Sequence, residues 1–226
     1  MKKYFSIQQL DRAADIYIFG DIVPWEMWPG DVSANGIVER IKQLNVDEIR
    51  VHIDSYGGSV SEGWAIYNAL RQHPAKVTAF GDGFVASAAL YPFLAGDERI
   101  ASNLSAYYFH RVSILAEGYA DELRKAADEA EQMTEIGISA FVERAGMEES
   151  AVRELMEAET WLTPAQALDY GLATSITADD ALPVAQDAKK SIMQRVLTHA
   201  AGKKHVDDKP QEPVEQTLKD KIKNMI

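Results

Sequence analysis

Residues 77–94 read VTAFGDGFVASAALYPFL, and this stretch decides the fold. It opens as an apolar strand at 77–80, passes a glycine turn at Gly81 and Gly83, and continues as a small-residue helix opening at Ser87. A serine at a helix N-terminus sits beside backbone N–H groups that lack intrahelical acceptors, at the positive end of the helix dipole. Such surroundings stabilise an alkoxide or an oxyanion. Upstream, Asp54-Ser55-Tyr56-Gly57-Gly58-Ser59 forms a second anion-friendly loop between a strand and a helix. Downstream, His110 closes an aromatic strand at 106–109. Histidine is the usual base for a serine hydroxyl, so the three pieces together point to acyl transfer.

The flanking sequence places these pieces in an α/β domain. Residues 15–20 read as a buried strand ended by glycine, and Ser33 can cap a helix with Ile37, Val38, Ile41 and Leu44 at helical spacing. Residues 49–53 form the next strand and 60–70 the next helix, which leads into the strand at 77–80. This alternation predicts a largely parallel sheet, with ligands gathering at the carboxyl ends of the strands, where both glycine loops fall. Further on, 99–100 and 106–109 read as short strands, 119–145 as a long helix stopped by Gly146, and 149–156 as a shorter one. Thr163-Pro164-Ala165-Gln166 is a capping box opening a helix that stops at Gly171, before a last strand at 172–176.

At 226 residues, a chain with 46% hydrophobic and 26% charged residues suits one domain plus an appendage, able to bury roughly 70% of its unfolded surface. Residues 1–186 carry 14 Lys/Arg against 29 Asp/Glu, whereas 187–226 carry nine against six. The chain therefore divides into an acidic domain at 1–186 and a charged, mobile tail at 187–226, with a short helix at 191–200. The acidic body repels phosphates, which argues against nucleic acid as a partner. No cysteine is present, no histidine has metal-ligand spacing, and no Gly-x-x-x-x-Gly-Lys loop occurs, so neither a metal nor another cofactor is expected. The start, MKKYFSIQQLDRAAD, lacks an apolar core of signal-peptide length, and no run approaches the ~20 residues that span a bilayer. The expectation is a cytoplasmic protein without a membrane partner.

Single residues leave alternatives open. Ser87 alone also suits an Ala-rich helix start, His110 an ordinary strand end, and Gly57-Gly58 a tight turn without a ligand. Their conjunction is more specific. Gly57 and Gly58, lacking Cβ atoms, let a backbone N–H approach a substrate carbonyl, and with the Ala88 N–H they can form an oxyanion hole.

In order along the chain, Asp54-Ser-x-Gly-Gly-Ser59 with Ala65-Ile-Tyr67, Gly83-Phe-Val-Ala-Ser87-Ala88, Ala106-Tyr-Tyr-Phe-His110 and Trp161-Leu-Thr-Pro-Ala-Gln-Ala-Leu-Asp-Tyr-Gly-Leu172 resemble the segments of the Clp protease proteolytic subunit family. The resemblance covers roughly residues 15–176, and its wording is most similar to the Clp-like head maturation proteases of phages and prophages. It implies an α/β core of the ClpP/crotonase type, built of repeated strand–helix units with a protruding helical handle at 119–145. It implies a serine endopeptidase with Ser87 as nucleophile and His110 as general base, acting through an acyl-enzyme on protein or peptide substrates. Glu159 stands where the family usually has aspartate, so it is expected as the third member that orients the histidine. Tyr56 replaces the usual proline, and Arg111 follows the histidine where a neutral polar residue is commoner.

The resemblance further implies a homo-oligomeric ring, with phage capsid or scaffold proteins as substrates. It leaves open whether an ATP-driven AAA+ unfoldase feeds the ring. Two other readings stay in view: a crotonase-fold acyl-CoA hydratase or hydrolase, which needs no Ser-His pair, and a catalytically degenerate oligomeric scaffold.

Overall fold

Strict alternation of buried and half-exposed residues along Glu48–Ser55 shows how the sheet is made: Ile49, Val51, Ile53 and Ser55 point inward, and Arg50 and His52 point out. The computed structural model describes residues 5–10, 12–24 and 32–177. The expected tail at 187–226, its helix at 191–200 and the division after residue 186 lie outside the described residues. In chain order the elements are β1 (Phe5–Leu10), β2 (Ala13–Phe19), β3 (Ile22–Val23), β4 (Val32–Ser33), α1 (Ala34–Gln43), β5 (Glu48–Ser55), α2 (Val60–Gln72) and β6 (Lys76–Ala86). A 3-10 turn, Ser87–Ala89, runs into α3 (Leu90–Leu94). Then come β7 (Glu98–Ala101), β8 (Ala106–Tyr108), α4 (Ala120–Ala145), α5 (Glu149–Glu157), β9 (Trp161–Leu162), α6 (Pro164–Asp169) and β10 (Ser175–Ile176).

The main sheet runs β1-β2-β5-β6-β7-β10, with β8 paired to β6 and β9 to β8. Its centre is parallel, as the strand–helix alternation predicts, while β1 on β2 and β9 on β8 are antiparallel. Ile16, Ile18, Ile49, Val51, Ile53, Val77 and Ala79 are buried with Ile37, Ile41, Ile66, Leu70, Phe93 and Leu94 of the helices in one core. On the opposite face Tyr17, His52 and Phe80 stack across β2, β5 and β6 at 4.8 and 4.7 Å between ring centroids. The His52 imidazole there meets Asp82 at 2.8 Å.

One expectation about the deciding stretch needs correction. Gly81 and Gly83 do not form a turn: β6 runs unbroken from Lys76 to Ala86. A Cβ at Gly81 would collide with the Tyr107 hydroxyl, and one at Gly83 with the Asp54 carboxylate. Both glycines therefore serve close approach rather than chain reversal. They also lie where β6 changes partners. Residues 78–81 pair with β7, and 84–86 pair with β8. This fork delivers the ends of β6 and β8 side by side.

Helix α4 begins after Tyr119 and stops at Gly146, whose φ of 66° makes it a left-handed cap. Its buried residues, Thr134, Gly137, Ile138 and Phe141, all lie in the C-terminal half. The turns before them are exposed nearly all round, as the expected handle requires.

Candidate active site

The site is assembled at the fork. Ser87 follows the last residue of β6 with φ of 56°, a left-handed backbone that costs a non-glycine residue about 1–3 kcal/mol. His110 lies two residues beyond β8, and Phe109 N–H donates to the Thr160 carbonyl at 2.9 Å, fastening the end of that strand. Because Ala86 pairs with Tyr108 in parallel, the chains leave the sheet together. The imidazole Nε2 comes to 2.6 Å from Ser87 Oγ. With its hydrogen on Nδ1, the ring accepts the serine proton at Nε2. The helical segment after Ser87 is only one 3-10 turn and the five-residue α3. Its local N–H groups therefore matter more than a long-helix dipole.

The glycine loop sits against the serine. A Cβ on Gly57 would lie 2.7 Å from Ser87 Cβ and 2.8 Å from the Ala88 nitrogen, so only glycine fits there. Its own N–H is already committed, donating to Ser55 Oγ at 3.0 Å, while Ser55 Oγ–H donates to the Gly20 carbonyl at 2.6 Å. Of the two glycine donors expected from the sequence, Gly57 thus supplies clearance. The Gly57 carbonyl accepts from Ile22 N–H at 2.7 Å. In a planar trans peptide this turns the Gly58 N–H to the opposite side, away from Ile22. Ser59 N–H closes the bridge on the Ile22 carbonyl at 2.8 Å.

Glu159 lies just before β9 with φ of 50°, and with Ser87 it makes up the positive-φ non-glycine residues among those described. Its charge acts on the Tyr108 phenol. Burial and the Glu159 carboxylate together raise the Tyr108 pKa, which keeps the phenol protonated. The Tyr108 ring stacks on His110 with centroids 5.4 Å apart and on Trp161 at 4.6 Å. The row continues through Phe84 to Tyr56, at 5.4 and 4.9 Å between centroids, so the tyrosine that stands for proline packs on β6.

Tyr108 was not singled out from the sequence. The period of two was its signal: Tyr107 is buried, which places Tyr108 and His110 on the other face. Arg111 lines a groove of about 520 Å³ with Asp128, Glu131, Glu135 and Glu157 between the post-histidine loop, α4 and α5. His73 has a structural place, its ring accepting Ala75 N–H at 3.1 Å and facing the Leu44 carbonyl at 3.2 Å.

Comparison with known proteins shows the family. The chain is 32% identical over 130 residues to an ATP-dependent Clp protease proteolytic subunit 2 of Treponema denticola, a match spanning 57% of this chain and 65% of that one. It is 30% identical over 156 residues to the corresponding subunit of Treponema pallidum, spanning 65% and 78%. Among solved structures, a point mutant of ClpP1 from Listeria monocytogenes superposes with a TM-score of 0.61 and 25% identity, covering 75% of this chain and 92% of that one. The Clp protease family profile matches residues 6–180, which include the forked sheet, the glycine loop and the Ser87–His110 pair. By that match over most of its length, the chain belongs to the Clp protease family.

Proposed function

We propose that this protein is a serine endopeptidase of the Clp type. The observation that carries the reading is the 2.6 Å contact between His110 Nε2 and Ser87 Oγ beside the glycine loop. Ser87 Oγ attacks the scissile carbonyl carbon as its proton passes to His110 Nε2. The oxyanion lies between the N–H groups of Gly58 and Ala88, each such donor being worth ~10²–10³ in rate. Collapse of the tetrahedral species expels the amine, which takes the proton from His110 and leaves an acyl-enzyme. Water, deprotonated by His110, attacks the ester and releases the carboxylate product. Glu159 orients the base.

Family membership supports a homo-oligomeric ring acting on peptide or protein substrates, with the exposed turns of α4 as the element that meets a second copy. The finer assignment, processing of phage capsid or scaffold proteins in the cytoplasm by a domain at 1–186 with a charged tail at 187–226, rests on motif wording and composition. Among the described residues no helix is long and apolar enough to cross a membrane.

The test is fluorophosphonate labelling followed by intact mass. One adduct on wild type, lost in Ser87→Ala, is the expected result. A folded, assembled protein that takes no adduct overturns the reading and returns the acyl-CoA and scaffold alternatives. Cleavage of a co-expressed capsid or scaffold protein by wild type, absent with Ser87→Ala, checks the finer assignment.

A further inference from the structure

In a serine peptidase the group behind the histidine must steady the imidazolium that forms in the transition state. Glu159 is the residue expected there, and beside the imidazole lies the stacked ring of Tyr108, whose phenol feels the Glu159 charge. We propose that Tyr108 is a positioning residue for His110, and that Glu159 acts on the imidazole through it.

Three features support this. First, Tyr108 and His110 are two residues apart where β8 leaves the sheet, so they share a face, and their rings are stacked within 23° of parallel. An aromatic face at that distance restricts rotation of the imidazole and attracts it once it is protonated. Second, the tyrosine is itself fixed. It pairs directly with Trp161 across β8 and β9, and their rings stack 27° from parallel. Third, the backbone around Glu159 is tied to both elements. Glu159 N–H donates to Met156, Thr160 N–H to Leu155 at 3.1 Å, and the Thr160 carbonyl receives Phe109 N–H at 2.9 Å. These bonds hold the Glu159 backbone beside the end of β8, and the Tyr108 phenol feels its charge. A hydrogen bond from the phenol to an anion enriches the ring and strengthens its hold on an imidazolium.

The inference rests on the Ser87–His110 reading, so the test is built to separate the two. The rate of fluorophosphonate labelling is measured against pH for wild type, Glu159→Gln, Tyr108→Phe, the double variant and Tyr108→Leu. We expect Glu159→Gln to slow labelling about tenfold in wild type but less than about twofold in the Tyr108→Phe background, the signature of residues acting in series. Losing the carboxylate charge in Glu159→Gln, or the electron-rich phenol ring in Tyr108→Phe, disfavours imidazolium, so the acid limb moves to lower pH in both single variants. Arg111 is common to all variants, and its effect on the profile cancels. Tyr108→Phe, which keeps the ring, retains more rate than Tyr108→Leu. Equal effects of Glu159→Gln in both backgrounds, or a Tyr108→Phe variant with wild-type rate and acid limb, overturn the inference alone. Wild type that does not label overturns the peptidase reading and this inference with it.

Discussion

Ser87 and Glu159 share an uncommon backbone, with φ of 56° and 50°, but little else. Ser87 follows a central strand, between buried Ala86 and Ala88, with Gly57 pressed against it. Glu159 is exposed and follows exposed Glu157 and Ala158 at the end of α5. Strain of this kind persists only where the surroundings over-determine it. At Ser87 the core and the glycine loop do so. At Glu159 a few backbone hydrogen bonds must suffice. The strain therefore has different consequences at the two positions: the serine is locked, whereas the glutamate can relax if its neighbours are altered.

The comparison can be broken most severely at the nucleophile. Ser87→Ala should lower labelling and peptide hydrolysis by at least ~10³-fold while leaving the melting temperature nearly unchanged, measured by intact mass and calorimetry. Residual adduct in that variant would show that another residue is the nucleophile. Gly57→Ala should be next. Its Cβ would lie 2.5 Å from the Ala86 carbonyl and 2.7 Å from Ser87 Cβ, at a φ of 93°. Activity should fall about 10²-fold and stability by more than ~2 kcal/mol in urea melts. A Gly57→Ala protein as stable as wild type would mean that the loop is not pressed against the serine.

Glu159→Gly sharpens the contrast, because it relieves the backbone while deleting the carboxylate. Labelling should fall about tenfold as stability rises by about 1 kcal/mol. Loss of both would place Glu159 in the structural framework. The smallest effect is expected far from either position, at Asp97. Burial works against its charge, but the Val77 N–H and the guanidinium groups of Arg71 and Arg144 prevail and hold its carboxyl below the usual 3.8. A carboxyl lowered on folding adds stability above its unfolded pKa, and that stability is lost as pH falls through the folded value. Asp97→Asn should therefore reduce the melting temperature near neutrality by a few degrees and flatten its decline below about pH 4. An unchanged acid slope would exclude Asp97 as a contributor.

The parts of the fold that were legible are those with strong local periods or caps. The strand at 49–53 alternates strictly and appears within β5, and the Thr163–Gln166 capping box opens α6 as expected. Gly146 ends α4 because only a residue tolerant of the left-handed region continues the chain there. Elements defined by a partner were not legible. β1 is an edge strand whose place comes from pairing with β2, and β9 is two residues long, too short to carry a period.

By itself, the sequence determined the order of the helices and of the longer parallel strands, the parallel centre of the sheet, and the residue types near the site: a serine at a helix start, a histidine at a strand end and paired glycines after a strand. These follow from local rules of propensity, capping and alternation, which act over a few residues. Only the tertiary structure decided that Gly81 and Gly83 are clearance positions within one long strand, that Gly57 has spent its N–H on Ser55, and that the Tyr108 ring stacks on His110. Each depends on which atoms approach from distant parts of the chain. A one-dimensional pattern shows where a side chain is small or polar, and packing decides what it meets.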